Sequence, residues 1–154
     1  MATNYGKPFE QKFRSDWLKI PNSTIDRLYD VTMGYKRVKQ VCDYIGYVYP
    51  NIFYLEAKST HGNTFNFNKL TQYKSLVEKV GIVGARVGVV IWFVDHSKVV
   101  YAPIATITKM KADGKKSINI RDLEGYNIKE IPSVKKRVFC DSDYSVLLKL
   151  EDGE

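Results

Sequence analysis

Three charged side chains within CDYIGYVYPNIFYLEAKST, residues 42–60, have types and an order that suit phosphodiester chemistry: Asp43, then Glu56 thirteen positions on, then Lys58 beyond a single alanine. Two carboxylates meeting at a sheet edge can hold a hard cation such as Mg²⁺, which takes oxygen ligands and keeps several waters for substrate. An adjacent ammonium can orient an attacking water or offset charge that develops on a phosphate, while the metal polarises the phosphoryl oxygens. The same spacing has an ordinary meaning too. Glu and Lys at i and i+2 on an exposed sheet face usually form a solvated pair contributing well under about 1 kcal/mol. Spacing alone leaves both readings open, so the elements that carry these residues have to decide.

Side chains alternate across a strand. Phe53, Leu55 and Ala57 therefore face one way and read as core, while Ile52, Tyr54, Glu56 and Lys58 face the other. The second set begins apolar and ends in two charges about 7 Å apart along the chain, as expected of a cluster at a strand's end. Pro50-Asn51 signals a turn, so the preceding run should fold back as an antiparallel neighbour and bring Asp43 near Glu56.

Elsewhere, Phe9, Phe13 and Trp17 recur at i, i+4 and i+8 with Pro21 as a stop, which predicts an amphipathic helix over about 5–19, with Pro8 tolerated in its first turn. Strands are expected at Thr24–Val31, Val41–Tyr49 and Ile52–Ser59, and HGNTFNFN reads as loop. Leu70, Tyr73, Val77 and Val80 suggest a second helical stripe ending before Gly81. ARVGVVIWFV, residues 85–94, reads as a central strand buried on both faces, with Lys98–Ala102 as its hairpin partner. After Pro103 a short helix closed by Gly114 fits. The final YSVLLKL is strand or helix, being too short for its period to decide. This order describes an α+β or α/β chain built on one central sheet.

The length of 154 residues suits one domain, expected to span 1–154, and 24 Lys and Arg against 17 Asp and Glu leave a net charge of +7, which favours a polyanionic partner. The longest apolar run, Val87–Val94, is far short of the roughly 20 residues that a membrane span needs. The N-terminus has no apolar signal region, so a cytoplasmic protein without a membrane partner is expected. Cys42 and Cys140 fit no metal or disulfide pattern and read as reduced thiols, and His61 and His96 as isolated loop or strand-end residues.

The flanks of the charged trio are more specific than the trio. DYIGYVYPNIFYLEAKST resembles the core motif of RecU-type Holliday junction resolvases, with Tyr44, Gly46, Tyr47, Ala57 and Thr60 matching beside Asp43, Glu56 and Lys58. Gly6, Phe9 and Glu10 resemble the family's Gly-x-x-Phe/Leu-Glu signature, Gln72 stands where a His-Gln pair opens the next helix, and Lys116, Ser117 and Ile118 resemble its Lys-Ser-Ile segment. Cys42 and Thr71 depart from the pattern, standing where a hydroxylated residue and the histidine are usual. The long basic stalk of larger bacterial members is replaced by TMGYKRVKQ, residues 32–40, so the chain resembles a compact, bacteriophage-like version.

The resemblance implies a restriction-endonuclease-like PD-(D/E)xK fold, a central mixed sheet flanked by helices, and Mg²⁺-dependent resolution of branched DNA, with Mn²⁺ as a substitute. Under it, Asp43, Glu56 and Glu10 are metal ligands or water-mediated partners, Lys58 the base or charge stabiliser, and Gln72 a support to the site. Lys36, Arg37 and Lys39 of the shortened stalk are candidate DNA contacts, as is Arg27, which with Asp30 forms a second charged pair at strand spacing that either borders the site or is an ordinary surface pair. A two-fold homodimer would match the symmetry of a four-way junction, and Phe9, Phe13 and Trp17 are core or interface material. Two rivals remain: a nuclease of this superfamily acting on other branched or duplex DNA, and a non-catalytic DNA-binding module built on the basic clusters KRVK, KMKADGKK and KKR with Tyr29, Tyr35 and Tyr101 nearby.

Overall fold

The computed structural model describes residues 4–29, 31–33, 36–38 and 40–150, the two short segments within 31–38 by their backbone alone. Helix α1 (Gly6–Trp17) forms where the aromatic stripe calls for it, and Phe9, Phe13 and Trp17 are all buried. That makes them core, not interface. Burying each such ring contributes roughly 1.5–3 kcal/mol, enough to fix the helix on the sheet without help from its polar face.

The strands β1 (Ser23–Arg27), β2 (Val31–Met33), β3 (Lys36–Val38), β4 (Tyr44–Val48) and β5 (Asn51–Thr60) follow. β1 stops four residues short of the expected end, and β2 pairs with β3 as a separate two-stranded ribbon within the stalk-like segment. Next come β6 (Thr64–Asn66), α2 (Tyr73–Val77), β7 (Ala85–Phe93), β8 (Lys98–Pro103) and α3 (Ile104–Ala112). β9 (Ser117–Asn119), β10 (Lys129–Ile131), β11 (Ser133–Lys135) and β12 (Cys140–Ser142) complete the strands. YSVLLKL becomes a 3₁₀ turn over Tyr144–Lys149.

Six strands make the main sheet in the order β1-β4-β5-β7-β8-β10, with β5 and β7 parallel and the other pairs antiparallel. β7 is buried along its whole length and hairpins into β8, as its apolar run predicts. One core lies between α1 and the sheet face carrying Phe53, Leu55 and Ala57, and it also takes in Tyr144 and Leu147. The other lies under α2, α3 and the turn at Phe67, against Val87, Val89 and Ile91. The sheet is thus mixed and covered on both faces.

Two expectations fail locally. The HGNTFNFN segment is not all loop, because Thr64–Asn66 pairs with Ser117–Asn119 and continues into a 3₁₀ turn over Phe67–Lys69. The second helix is only five residues long, so the 70–80 stripe is out of phase: Leu70 is buried ahead of the helix, Leu76 is its core residue and Val77 is exposed. Gly114 sits at positive φ just past the end of α3, whereas Gly81, also at positive φ, lies four residues beyond α2.

Candidate active site

The register that pairs Tyr44 with Leu55 sets Asp43, one residue earlier, beside Glu56 one residue later. Asp43 is anchored by its backbone, its carbonyl accepting from the Leu28 N–H at 2.8 Å and from Arg27 Nη1 at 3.0 Å. Gly46 explains itself in the same strand. The indole of Trp17 lies on it, and a Cβ there would meet Trp17 Cζ2 at 2.8 Å. The motif glycine is thus the floor that lets α1 settle against β4.

Lys58 stands between the two acids, its Nζ 3.6 Å from Asp43 Oδ2 and 3.7 Å from Glu56 Oε2. The sequence therefore placed the trio correctly on one face, but the solvated-pair reading fails, because Glu56 is completely buried and Asp43 nearly so. Neither carboxyl oxygen of Glu56, nor Asp43 Oδ2, nor Gln72 Oε1 accepts a well-formed hydrogen bond, although all four are buried. Orphaned buried oxygens cost free energy unless something satisfies them. Burial pushes the Glu56 carboxyl up to about 7, a rise opposed by the Lys58 ammonium and reinforced by the Asp43 charge, with the Gln72 backbone N–H and a Lys58 hydrogen bond adding to the opposition.

Gln72 sits immediately before α2, as its place in the resemblance requires, and its Nε2 donates to the Gln40 carbonyl at 3.2 Å. Glu10 reaches the site differently. Arg27 stands between the acids, with Nε 3.6 Å from Glu10 Oε2 and Nη1 3.5 Å from Asp43 Oδ1. Its guanidinium lies 5.3 Å from the ring centroids of both Tyr29 and Tyr44. Burial raises the Glu10 carboxyl above its ordinary value, with Arg27 opposing and Asp43 adding. Sequence reasoning set Arg27 at the border, whereas it is the bridge within the cluster; a lone arginine on an edge strand carries no periodic signal of that role.

Lys7, Gln11 and Arg14 line a cleft of about 610 Å³ that continues from Glu10 and Arg27 past Tyr29 and Tyr44. Of the expected stalk contacts, Lys36 and Arg37 lie on β3, while Lys39 and Asp30 fall outside the described residues. Cys42 and Cys140 are free and buried, and His61 and His96 contact Asp95 and Asn63 just beyond the C-terminal ends of β5 and β7.

Among the described residues no three His, Cys, Asp or Glu side chains converge closely enough to share an ion. The donors nevertheless suit a hard divalent cation: Asp43, Glu56 and Gln72 offer carboxylate and amide oxygens, and Asp43 Oδ2, both Glu56 oxygens and Gln72 Oε1 are buried with no well-formed hydrogen bond. Among the described residues no helix is long and apolar enough to cross a membrane.

A family model described as Recombination protein U matches residues 11–140. No curated protein sequence matches the chain significantly. Among solved structures, Hjc, a Holliday junction resolvase from the archaeal hyperthermophile Archaeoglobus fulgidus, superposes with a TM-score of 0.56 at 14% identity, over 79% of this chain and 93% of that one. At that identity the likeness is one of fold, a central mixed sheet covered by helices.

Proposed function

The chain belongs to the Recombination protein U family, and on that footing we propose that it is a divalent-metal-dependent endonuclease that resolves four-way DNA junctions at the strand end carrying Asp43, Glu56 and Lys58. The observation that carries this is the set of buried carboxylate oxygens that accept no well-formed hydrogen bond, beside an ammonium. A merely structural cluster would satisfy them.

Asp43 and Glu56 would hold the metal, Mg²⁺ with Mn²⁺ as a substitute, with Glu10 as a further partner. When bound, the ion polarises the phosphoryl oxygens and supplies a nucleophilic water at neutral pH. Lys58 orients that water or neutralises charge on the scissile phosphate, since its Nζ lies between both acids. Gln72 fixes Glu56 from the α2 side. Arg27 holds Glu10 and Asp43 in place and, with Lys36, Arg37 and Lys39, binds backbone phosphates. Residues 1–154 act as one nuclease domain, a compact member of the bacteriophage kind, working in the cytoplasm of its cell or host. The short β2-β3 ribbon in place of a stalk supports that reading. Two copies nick the symmetric strands as a homodimer; sedimentation of an active monomer would rule that out.

A panel of four-way junction, flap and linear duplex with Mg²⁺ tests the assignment. Paired nicks confined to the junction are expected. Equal cutting of all three would make the protein a general nuclease, and Mg²⁺-indifferent binding without cleavage would make it a binding module.

A further inference from the structure

On the same sheet face as Glu56 and Lys58, but beyond the turn at Phe67, Asn66, Phe67, Asn68, Lys111, Lys115 and Lys116 enclose a cleft of about 240 Å³. Its two walls are joined by the β6-β9 ladder, Asn66 opposite Ser117, and by the Phe67 N–H donating to the Lys116 carbonyl at 3.0 Å. The cations are held, yet mostly not neutralised. Lys111 Nζ sits 3.6 Å from the Tyr73 ring centroid and 5.9 Å from that of Phe67. An aromatic face fixes an ammonium without cancelling its charge. No carboxylate among the described residues pairs with Lys111 or Lys116 within 4.0 Å. Lys115 pairs with Asp122 at 3.2 Å and lies 5.7 Å from the Tyr126 ring, so it is the one cation partly offset.

We propose that this cleft grips a sugar–phosphate backbone of the bound DNA, a contact separate from the cutting site. Three lysines with two asparagine amides at the rim supply donors for phosphate oxygens, and the cleft has no acidic lining residue. Position supports it as well. Asn68 precedes Gln72 by four residues, so the rim lies at most about 14 Å from the α-carbon of Gln72, about four base pairs along a duplex axis. The Gln72 backbone N–H in turn faces Glu56, so the cleft lies within reach of an arm held at the cutting site.

The inference rests on the nuclease reading for its substrate but is tested by binding alone. In Ca²⁺, affinity for a four-way junction is measured against salt for the wild type and for the triple variant Lys111→Gln, Lys115→Gln, Lys116→Gln. The slope of log K against log salt should become shallower by about two to three, at ~0.9 per phosphate neutralised. A control of equal charge change on the opposite side of the sheet, Lys135→Gln, Arg137→Gln, Lys149→Gln, should leave the slope unchanged. The triple Lys→Arg variant should restore it, separating charge from altered packing on Tyr73 and Tyr126. Equal effects of the cleft and control triples, or an unchanged slope in the cleft triple, would overturn the proposal. A wild type that binds but never cuts would refute the nuclease reading and still leave the slope comparison decisive for the cleft.

Discussion

Glu56→Gln should abolish cleavage and yet make the metal-free protein more stable at alkaline pH. The folded chain holds the Glu56 proton up to about pH 7, while the unfolded chain releases it near the ordinary value of 4.5. Between those values the folded state binds more protons than the unfolded one, so stability falls as pH rises. At 1.36 kcal/mol per pH unit, the gap costs the folded state about 3 kcal/mol at pH 8 and under about 1 kcal/mol at pH 5. Glutamine keeps the shape and removes the charge, so the variant avoids that cost. For a chain of this size the gain at pH 8 corresponds to roughly 6–12 °C in Tm, shrinking to about 2–4 °C or less at pH 5. Thermal unfolding in EDTA at the two pH values, with circular dichroism as the readout, measures both. Saturating Mg²⁺ should narrow the difference, because the ion then satisfies the wild-type carboxylate. A variant that is less stable than wild type at pH 8, or stabilised equally at both pH values, would refute the claim that Glu56 is a buried carboxylate held for an ion.

Mn²⁺ affinity of the wild type, followed by electron paramagnetic resonance, should fall about tenfold per pH unit below pH 7 as the Glu56 proton competes with the metal, whereas Glu56→Gln should bind weakly and without that dependence. Gly88→Ala should destabilise the fold by about 1–3 kcal/mol or more in chemical denaturation, since the new Cβ would come within 2.3 Å of Tyr101 Cε2 in a strand buried on both faces. Replacing Lys36, Arg37 and Lys39 by alanine should weaken four-way junction binding more than linear duplex binding in a gel-shift titration, with a salt slope shallower by roughly one for each phosphate no longer neutralised. Equal weakening on both substrates would make that ribbon a general electrostatic patch.

Much of this architecture was legible because the decisive residues are periodic. The stripe Phe9, Phe13, Trp17 could only be buried as a helix, and alternation through Phe53, Leu55 and Ala57 already assigned Glu56 and Lys58 to the other face. The apolar run of β7 had to be central. Illegible parts were short or non-local. Thr64–Asn66 carries too few residues for a period, and its partner Ser117–Asn119 lies about fifty positions away. The phase of α2 failed because Leu70 is fixed by the turn after β6 and not by the helix. At the site, the trio and Gln72 were readable from motif and register. The bridging place of Arg27 was not, since it depends on three elements, α1, β1 and the bend before β4, meeting at one guanidinium.

The most direct measurement is single-turnover cleavage of a four-way junction with saturating protein and Mg²⁺, comparing wild type with Asp43→Asn, Glu56→Gln and Lys58→Ala, while junction affinity is measured in Ca²⁺. Metal ligands and a charge-stabilising ammonium act on the chemical step, whereas affinity comes mostly from phosphate contacts elsewhere. Paired nicks by the wild type, none without Mg²⁺, and loss of cutting with binding retained in all three variants are predicted. Wild-type turnover by Lys58→Ala, or cleavage that persists in EDTA, would contradict the assignment of this strand end as the catalytic centre.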